Sequence, residues 1–264
     1  LDIIIDPIKT ANWWGVSNPL VVLSIVSFYL YFCKSLGPRL MSNRKPFELK
    51  TILMLYNAFQ VLFSIFLVYR VRFIYNLIIK MLAASGWFYY VAKISELLDT
   101  VFFVLRKKYN QVTFLHVYHH TLMSLIIWFG VKYFPGGHTI LMGFLNSIVH
   151  VIMYSYYLIS GLGPEYQKYV WWKKHVTMIQ LIQFSIIFVH NAAVFFYECN
   201  FPKVINIICM MNALAFMYMF GKFYINSYKQ NNKIKTELEN KKVNPISSKV
   251  NNYSMRRKVA EKSR

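Results

Sequence analysis

Three histidines lie within five residues of each other, near the start of a hydrophobic stretch that is long enough to cross a bilayer. His116, His119 and His120 are spaced i, i+3 and i+4, so on a helix they share one face. Imidazoles are costly to bury at membrane depth, and polar groups found there are by default functional. They can serve as nucleophiles, as acids and bases, or as metal ligands. We therefore expect this cluster to be part of a reaction site.

Further segments at similar depth carry polar residues at helical spacing. They have the sequences KISELLDT, NSIVHVIMYSYY and TMIQLIQ. The polar residues that we expect to contribute are Lys93, Glu96, Asp99, Thr100, Asn146, His150, Tyr154, Tyr157, Thr177, Gln180 and Gln183. With the loops at 106–111 and 161–174 on one side of the membrane, these residues all fall toward that side of one bundle. The other half is almost purely apolar, which suits a substrate with a charged head and a long hydrocarbon tail.

The composition predicts an integral membrane protein. Hydrophobic residues make up 56% of the chain and aromatic residues 18%, more than in an ordinary soluble domain. About seven windows approach the roughly 20 residues that a bilayer-spanning helix needs: 20–36, 49–69, 86–105, 113–134, 138–160, 171–196 and 204–228. We therefore predict an all-α, polytopic membrane protein in which about seven transmembrane helices form a bundle around a closed tunnel.

The positive charge of the chain is distributed as a membrane topology signal. The formal net charge is +20, yet 12 of the 30 Lys and Arg residues lie in 222–264, and most of the others flank the predicted spans. We expect no nucleic acid partner. The pattern predicts a lumenal N-terminal segment at 1–19, a seven-helix domain at 20–228, and a disordered, basic, cytosolic tail at 229–264.

Four motifs occur in one order along the chain. KISELLDT fits the pattern KxxExxDT, HVYHH fits HxxHH, HVIMYSYY fits HxxMYxYY and TMIQLIQ fits TxxQxxQ, and RKPFELK precedes them. Together they make residues 18–228 resemble the ELO family of very-long-chain fatty acid elongases. The resemblance implies a seven-helix enzyme of the endoplasmic reticulum, and the closed tunnel predicted above would then hold the acyl chain. Such an enzyme condenses an acyl-CoA with malonyl-CoA, giving 3-oxoacyl-CoA, CoA and carbon dioxide.

The resemblance also implies the molecules that this chain meets. Acyl-CoA and malonyl-CoA are substrates, membrane lipid surrounds the helices, and no cofactor is expected. The neighbours implied are the reductases and the dehydratase of the elongation cycle, and a homodimer is one alternative for the assembly. The CoA phosphates should bind among basic residues at the cytosolic mouth, for which we name Arg44, Lys45, Lys107, Lys108, Lys173 and Lys174.

Decarboxylative condensation needs a group that receives the acyl chain and donors that hold the enolate formed from malonyl-CoA. The cysteines, which are Cys33, Cys199 and Cys209, all lie outside the polar segments. An imidazole is therefore the nucleophile that we favour. In this ping-pong route His119 attacks the thioester, and His150 and Asn146 hold the enolate charge.

The remaining members of the catalytic group have supporting roles. His116 or His120 is a further donor to the enolate, Glu96 and Asp99 orient the imidazoles, and Lys93 is placed in the same group. In the alternative, ternary-complex route, the histidines act only as acid, base and hydrogen-bond donors. We expect the tunnel to end near residues 195 and 196, two phenylalanines on the sixth predicted span.

Other interpretations remain open. Lys93, Glu96 and Asp99 would equally well form an ion-pair network that fixes helix packing, and Gln180 and Gln183 suit hydrogen bonds between helices. Membrane di-iron desaturases and hydroxylases also use HxxHH, but they need roughly eight histidines in several clusters, and this chain has 7. We expect no metal site. A non-enzymatic seven-helix receptor or lipid carrier is the remaining class.

Overall fold

The computed structural model describes residues 13–74, 80–134, 139–196 and 202–229. Within these ranges all regular secondary structure is helical. The α-helices are α1 (Pro19–Tyr31), α2 (Gly37–Met41), α3 (Lys50–Ile74), α4 (Lys80–Leu105), α5 (Phe114–Tyr133), α6 (Thr139–Leu162), α7 (Lys173–Ala193) and α8 (Lys203–Tyr224). Shorter π or 3-10 segments are Phe32–Leu36, Tyr109–Gln111, Pro164–Val170 and Ile225–Lys229.

Six helical segments of the described chain are long and apolar enough to cross a membrane. They are Pro19–Met41, Lys50–Val71, Phe114–Tyr133, Ile140–Leu162, Lys173–Ala193 and Lys203–Ser227. Six of the seven predicted windows coincide with them. The remaining window, 86–105, lies in α4, which has 26 residues and carries three ionisable side chains in its interior. The chain is thus an all-helical, multi-pass membrane protein.

The first predicted window was too short. It was expected to end at residue 36, but the helical path continues through the π turn Phe32–Leu36 to Met41. Pro38 lies in the first turn of α2 and has no N–H to bond to the carbonyl four residues earlier. A locally wider turn accommodates the missing bond and lets the helix continue. Gly37 allows the close approach to α4, because a β-carbon there would lie 2.6 Å from Val104 Cγ1.

Two polar caps set where helices begin. Asn18 Oδ1 accepts a hydrogen bond from the backbone N–H of Leu20 at 2.9 Å, directly before α1. Thr113 Oγ1 accepts from the backbone N–H of His116 at 3.2 Å, directly before α5. The second cap fixes the register of the histidine cluster, since it places all three imidazoles in the first two turns of α5.

The turn before α1 is hydrogen-bonded to α4 and α5. Gly15 has a φ of +75°, which favours glycine. Its carbonyl accepts hydrogen bonds from Trp128 Nε1 at 3.1 Å and from Tyr90 Oη at 3.3 Å. Val16 is fully buried in the same cluster. These contacts join the N-terminal turn to α4 and α5.

The long helices pack with their sequence neighbours and with one distant partner. The principal pairs are α3 with α6, α4 with α5, α3 with α4, and α6 with α7. The chain divides into two compact units, Leu1–Met217 and Tyr218–Arg264. The second is described only for the last turns of α8 and for Ile225–Lys229. Most of the predicted lumenal segment 1–19 and nearly all of the predicted tail 229–264 lie outside the described residues, so both stay predictions.

Candidate active site

A buried carboxylate on α4 joins two of the motifs. Lys93 Nζ lies 2.7 Å from Glu96 Oε1 and 3.0 Å from Oε2, and both side chains come from one turn of α4. His150 Nδ1, from α6, lies 3.0 Å from the same Oε1 atom. Lys93 and Glu96 are each only 2% exposed. Contact between α4 and α6 therefore forms a buried network of Lys93, Glu96 and His150.

The contact to Glu96 fixes the tautomer of His150. A carboxylate only accepts hydrogen bonds, so the Nδ1 atom that faces it carries the proton. In the neutral ring Nε2 then has a free lone pair, and if Nε2 gains a proton the carboxylate stabilises the imidazolium. His150 is thus oriented as an acid, a base or a nucleophile.

Asn146 extends this network by one turn of α6. Its Oδ1 atom lies 2.6 Å from Lys93 Nζ and 2.9 Å from the hydroxyl of Tyr89. Since both neighbours donate, the amide must present its carbonyl oxygen to them. Asn146 is therefore a second acceptor for the ammonium group, in addition to Glu96.

The three histidines of α5 form a ring-to-ring cluster. The His116 and His120 centroids are 4.4 Å apart, and those of His119 and His120 are 5.5 Å apart. Ser124 Oγ lies 2.9 Å from the carbonyl oxygen of His120 and 3.5 Å from that of Lys93, which holds the facing turns of α5 and α4 together. The Ser124 contact therefore places the turn of α5 that follows the histidines directly beside the Lys93 turn of α4. The first two motifs therefore meet.

The histidine cluster borders aromatic side chains of α7 and α8. The His119 ring packs edge-on against Phe216 of α8 at 5.0 Å, and Phe216 stacks on Phe184 of α7 at 5.2 Å. His116 Nε2 is buried and makes no hydrogen bond to the described residues. An imidazole with an unpaired nitrogen in such a setting keeps its lone pair or N–H available for a substrate.

Asp99 and Thr100 lie about one helical turn after Glu96 on α4. Asp99 Oδ2 accepts from the Tyr154 hydroxyl at 2.7 Å, and Thr100 Oγ1 lies 2.7 Å from the Tyr29 hydroxyl. Tyr154 is fully buried, whereas Tyr157, predicted on the same stripe, is 40% exposed. The Tyr157 ring lies 5.9 Å from that of Tyr154, centroid to centroid.

The three polar residues predicted on α7 differ in how deeply they are buried. Thr177 and Gln183 are buried among the described residues. Gln180 is half-buried and its Nε2 atom lies 3.6 Å from Met153 Sδ of α6. The contact joins α6 and α7, as expected for a glutamine between helices.

The basic residues predicted for CoA lie at the helix ends nearest the histidines. Arg44, Lys45, Lys108, Lys173 and Lys174 are exposed. Lys107 has a φ of 54°, and its Nζ atom donates to the Ser42 carbonyl at 3.2 Å. The backbone N–H of Phe47 donates to the Leu105 carbonyl at 3.1 Å. These bonds hold the loop before α3 against the end of α4, so both basic segments share one end of the helices.

A cavity of about 480 Å³ lies beyond the polar network, in the other half of the bundle, and it is partly open at the protein surface, where its lining residues Leu23, Phe129 and Ile208 are exposed. Its lining comes from six helices and is almost entirely apolar; the polar exceptions are Ser85, Tyr89 and Ser147. Along α5 it extends from Leu125 to Phe134, a rise of about 14 Å. Such a space fits a hydrocarbon chain.

The predicted tunnel end was wrong. Phe195 is 42% exposed and Phe196 is 84% exposed, so neither closes an interior space. The helix α7 ends at Ala193, and the backbone N–H groups of both phenylalanines bond back to Ala192 and Ala193 in the turn that follows. The far end of the cavity is lined instead by Phe134 and Ile140.

Several members of the network were absent from the sequence prediction. Tyr89 and Tyr29 are described above. On α3, Gln60 Nε2 lies 3.0 Å from both the Tyr56 hydroxyl and Ser95 Oγ. A signal existed for Tyr89, which lies one helical turn before Lys93 and so on the same face. Tyr29 and Tyr56 carried no such signal, because nothing local indicates which helices α1 and α3 will touch.

The described residues contain no group of three His, Cys, Asp or Glu side chains that is arranged to hold a metal ion. Cys33 packs with Tyr29 and Leu97 in an apolar cluster, and Cys209 lines the cavity. Cys199 lies outside the described residues.

Comparison with known proteins places the chain in a family. Residues 14–236 match the ELO family, described as the GNS1/SUR4 family. The chain belongs to this family. A very long chain fatty acid elongase of Aedes aegypti is 43% identical over 242 residues, covering 85% of this chain and 67% of the relative. Very long chain fatty acid elongase 7 of Rattus norvegicus is 43% identical over 253 residues, covering 89% and 90%. Very long chain fatty acid elongase 4 of Homo sapiens is 41% identical over 244 residues, covering 86% and 77%.

The motifs that first suggested the ELO family now have definite positions. KxxExxDT lies in α4, HxxHH opens α5, HxxMYxYY lies in α6 and TxxQxxQ lies in the first half of α7. The hydrogen bonds described above connect the first and third motifs directly, and Ser124 connects the second to the first. In this ELO-family chain the motif spacings thus serve contacts within a helix, as in the Lys93–Glu96 pair, and contacts between helices, as in the Glu96–His150 pair.

Proposed function

We propose that this chain is a fatty acid elongation enzyme that condenses a long-chain acyl-CoA with malonyl-CoA, giving 3-oxoacyl-CoA, CoA and carbon dioxide. One observation carries the proposal. The facing turns of α4 and α5, joined between Ser124 and the Lys93 carbonyl, bring the Glu96–His150 pair and the three-histidine cluster to one side of an apolar cavity. Membership of a family whose relatives are named very long chain fatty acid elongases supports the same conclusion.

In the first half-reaction an imidazole receives the acyl group. The unprotonated nitrogen of His119 attacks the thioester carbon, the carbon–sulfur bond breaks and CoA leaves as the thiolate, which takes a proton from the medium. The other nitrogen of His119 loses its proton to His150 Nε2, whose lone pair is free while Nδ1 bonds to Glu96. The negative carboxylate stabilises the resulting imidazolium.

In the second half-reaction malonyl-CoA loses its carboxylate as carbon dioxide. The enolate that remains is held by the protonated His150, by Asn146 and by a neighbouring imidazole, His116 or His120. Its carbon attacks the acyl carbon, and the acyl–nitrogen bond breaks. His119 leaves as the imidazolide and recovers its proton from His150, so both imidazoles return to their starting state.

The remaining site residues position these groups. Lys93 neutralises Glu96, and the Asp99–Tyr154 bond braces the neighbouring turn. Thr177, Gln180 and Gln183 form the wall contributed by α7. The CoA phosphates bind at the basic end of the helices, at Arg44, Lys45, Lys107, Lys108, Lys173 and Lys174.

The same proposal assigns a membrane arrangement. The charged helix α4 is the seventh span, shielded from lipid by its neighbours. The basic end and the C-terminus face the cytosol, and the membrane is that of the endoplasmic reticulum. The 3-oxoacyl-CoA product passes to the reductases and the dehydratase of the elongation cycle, and no cofactor takes part.

The decisive experiment is an in vitro condensation assay. Purified protein in lipid nanodiscs is incubated with labelled malonyl-CoA and acyl-CoAs of increasing length, and the products are separated by mass spectrometry. Label in a 3-oxoacyl-CoA two carbons longer than the substrate supports the proposal. Binding of acyl-CoA without any labelled product would favour a lipid carrier or receptor. Activity should persist in a chelator; its loss would support a metal-dependent alternative.

A further inference from the structure

Tyr89 lies at the boundary between the apolar cavity and the polar network. Its ring lines the cavity, while its hydroxyl donates to Asn146 Oδ1 at 2.9 Å. The side chain is buried and comes from the turn of α4 directly before Lys93. A substrate tail in the cavity and the charged groups of the site therefore touch opposite parts of one side chain.

The ring of Tyr89 also supports the ammonium group. Lys93 Nζ lies 4.9 Å from the centroid of the Tyr89 ring, within the range of a cation–π contact. The same Nζ atom is 2.6 Å from Asn146 Oδ1. Tyr89 thus holds Lys93 in two ways, directly through the ring and indirectly through the amide that its hydroxyl orients.

The ring is held by packing and not by further hydrogen bonds in the described chain. It clusters with Leu67 of α3 and Ile127 of α5, and a β-carbon added at Gly143 of α6 would be in ordinary contact with it at 3.5 Å. Because Tyr89 is also one of the residues that line the cavity, an occupant of the cavity can pack against this side chain and add dispersion contacts.

We propose that Tyr89 is a positioning residue that couples filling of the cavity to the geometry of Lys93, Glu96 and His150. An acyl tail that reaches the cavity packs on the ring and holds it beneath Lys93, with the hydroxyl on Asn146. This keeps the Glu96 carboxylate aligned with His150 during the reaction. The inference rests on the proposed condensation and assigns one residue a role in it.

The test compares Tyr89→Phe with Tyr90→Phe. Tyr90 is the next residue on α4, is fully buried and donates one hydrogen bond, to Gly15.

Tyr89→Phe keeps the ring in the cavity and removes only the bond to Asn146. We expect its kcat to fall by roughly fivefold to tenfold, the effect of one buried hydrogen bond. The KM for acyl-CoA and the product length should stay the same. Tyr90→Phe should keep both constants within about twofold, since its bond is remote from the network.

Equal kcat values for the two variants would overturn the inference, as would a fall in kcat matched by a rise in KM. Wild-type protein gives an independent test that needs no variant. At saturating acyl-CoA, kcat itself should rise at the chain length that first reaches Tyr89, and a kcat independent of chain length contradicts the coupling. If wild-type protein condenses no acyl-CoA at all, the proposed function itself fails, which is a different outcome from either.

Discussion

His150 Nδ1 lies 3.0 Å from Glu96 Oε1, the same oxygen that Lys93 Nζ approaches to 2.7 Å. One carboxylate oxygen thus serves two donors from two helices, in a site that is closed to water. A buried ion pair of this kind seldom adds much stability in comparison with apolar packing. Its effect on the tautomer of His150 is specific, and we therefore expect the pair to be needed for chemistry more than for folding.

A pair of substitutions separates the two roles. Glu96→Gln should lower kcat by about a hundredfold, because an amide cannot stabilise the imidazolium, and it should also lower the melting temperature, because Lys93 is left buried without an anion. Adding Lys93→Met removes that unpaired charge. The double variant should recover much of the melting temperature but none of the kcat, as measured by thermal melting and condensation assays.

Recovery of turnover in the double variant would show that the Lys93–Glu96 pair serves helix packing alone. The matched control is Glu165→Gln, an exposed acid on the segment between α6 and α7. It should leave both melting temperature and kcat within error of wild type, since exposed charges contribute little.

The histidines can be tested individually. His119→Ala and His150→Ala should each reduce condensation to below a tenth of wild type while the protein remains inserted, because alanine is well tolerated in a membrane helix. His175→Ala is the control: His175 lies in the first turn of α7 and contacts Trp171 at the surface, remote from Glu96. Turnover above a tenth of wild type in either of the first two variants removes that residue from the mechanism.

The sequence could predict which polar residues share a helix face, because helical spacing is local. The i, i+3 and i+4 intervals of His116, His119 and His120 needed only a helix to bring the rings together, and Thr113 supplied its start. For contacts between helices, the sequence predicted only that the polar faces turn toward the interior of the bundle. It did not predict which residues meet there. That Glu96 meets His150, and that Tyr89 meets Asn146, depends on the packing of α4 beside α6, which no pattern within either helix specifies.

The cavity itself should limit product length. Phe134 lines the end farthest from Tyr89, so Phe134→Ala should open space for further methylene groups and shift the longest product by about two carbons or more. Phe196→Ala removes the same ring from the outer surface and should leave the products unchanged. Product length is measured after repeated cycles with labelled malonyl-CoA. An unchanged limit in Phe134→Ala would place the end of the acyl chain elsewhere.

The error about Phe195 and Phe196 shows what hydropathy cannot indicate. The window 171–196 was apolar to its end, and composition alone could not tell a lipid-facing turn from an interior wall. The structure ends α7 at Ala193 and exposes both rings. In a membrane, apolar side chains are favourable on either side of a helix, so the hydrophobic pattern that distinguishes inside from outside in a soluble protein is absent.

The last prediction concerns where the acyl group is held. If His119 is acylated, acyl-CoA alone should release about one equivalent of free CoA before malonyl-CoA is added, since the first half-reaction needs no second substrate. Intact-mass analysis should show a matching acyl adduct that His119→Ala lacks. The adduct should survive because Phe216 and Phe184 exclude water from the His119 side of the cluster. Adding malonyl-CoA should remove it and give 3-oxoacyl-CoA in the same amount. Release of CoA only when both substrates are present would instead support the ternary-complex route, in which His119 acts as an acid, base or donor and never forms a bond to carbon.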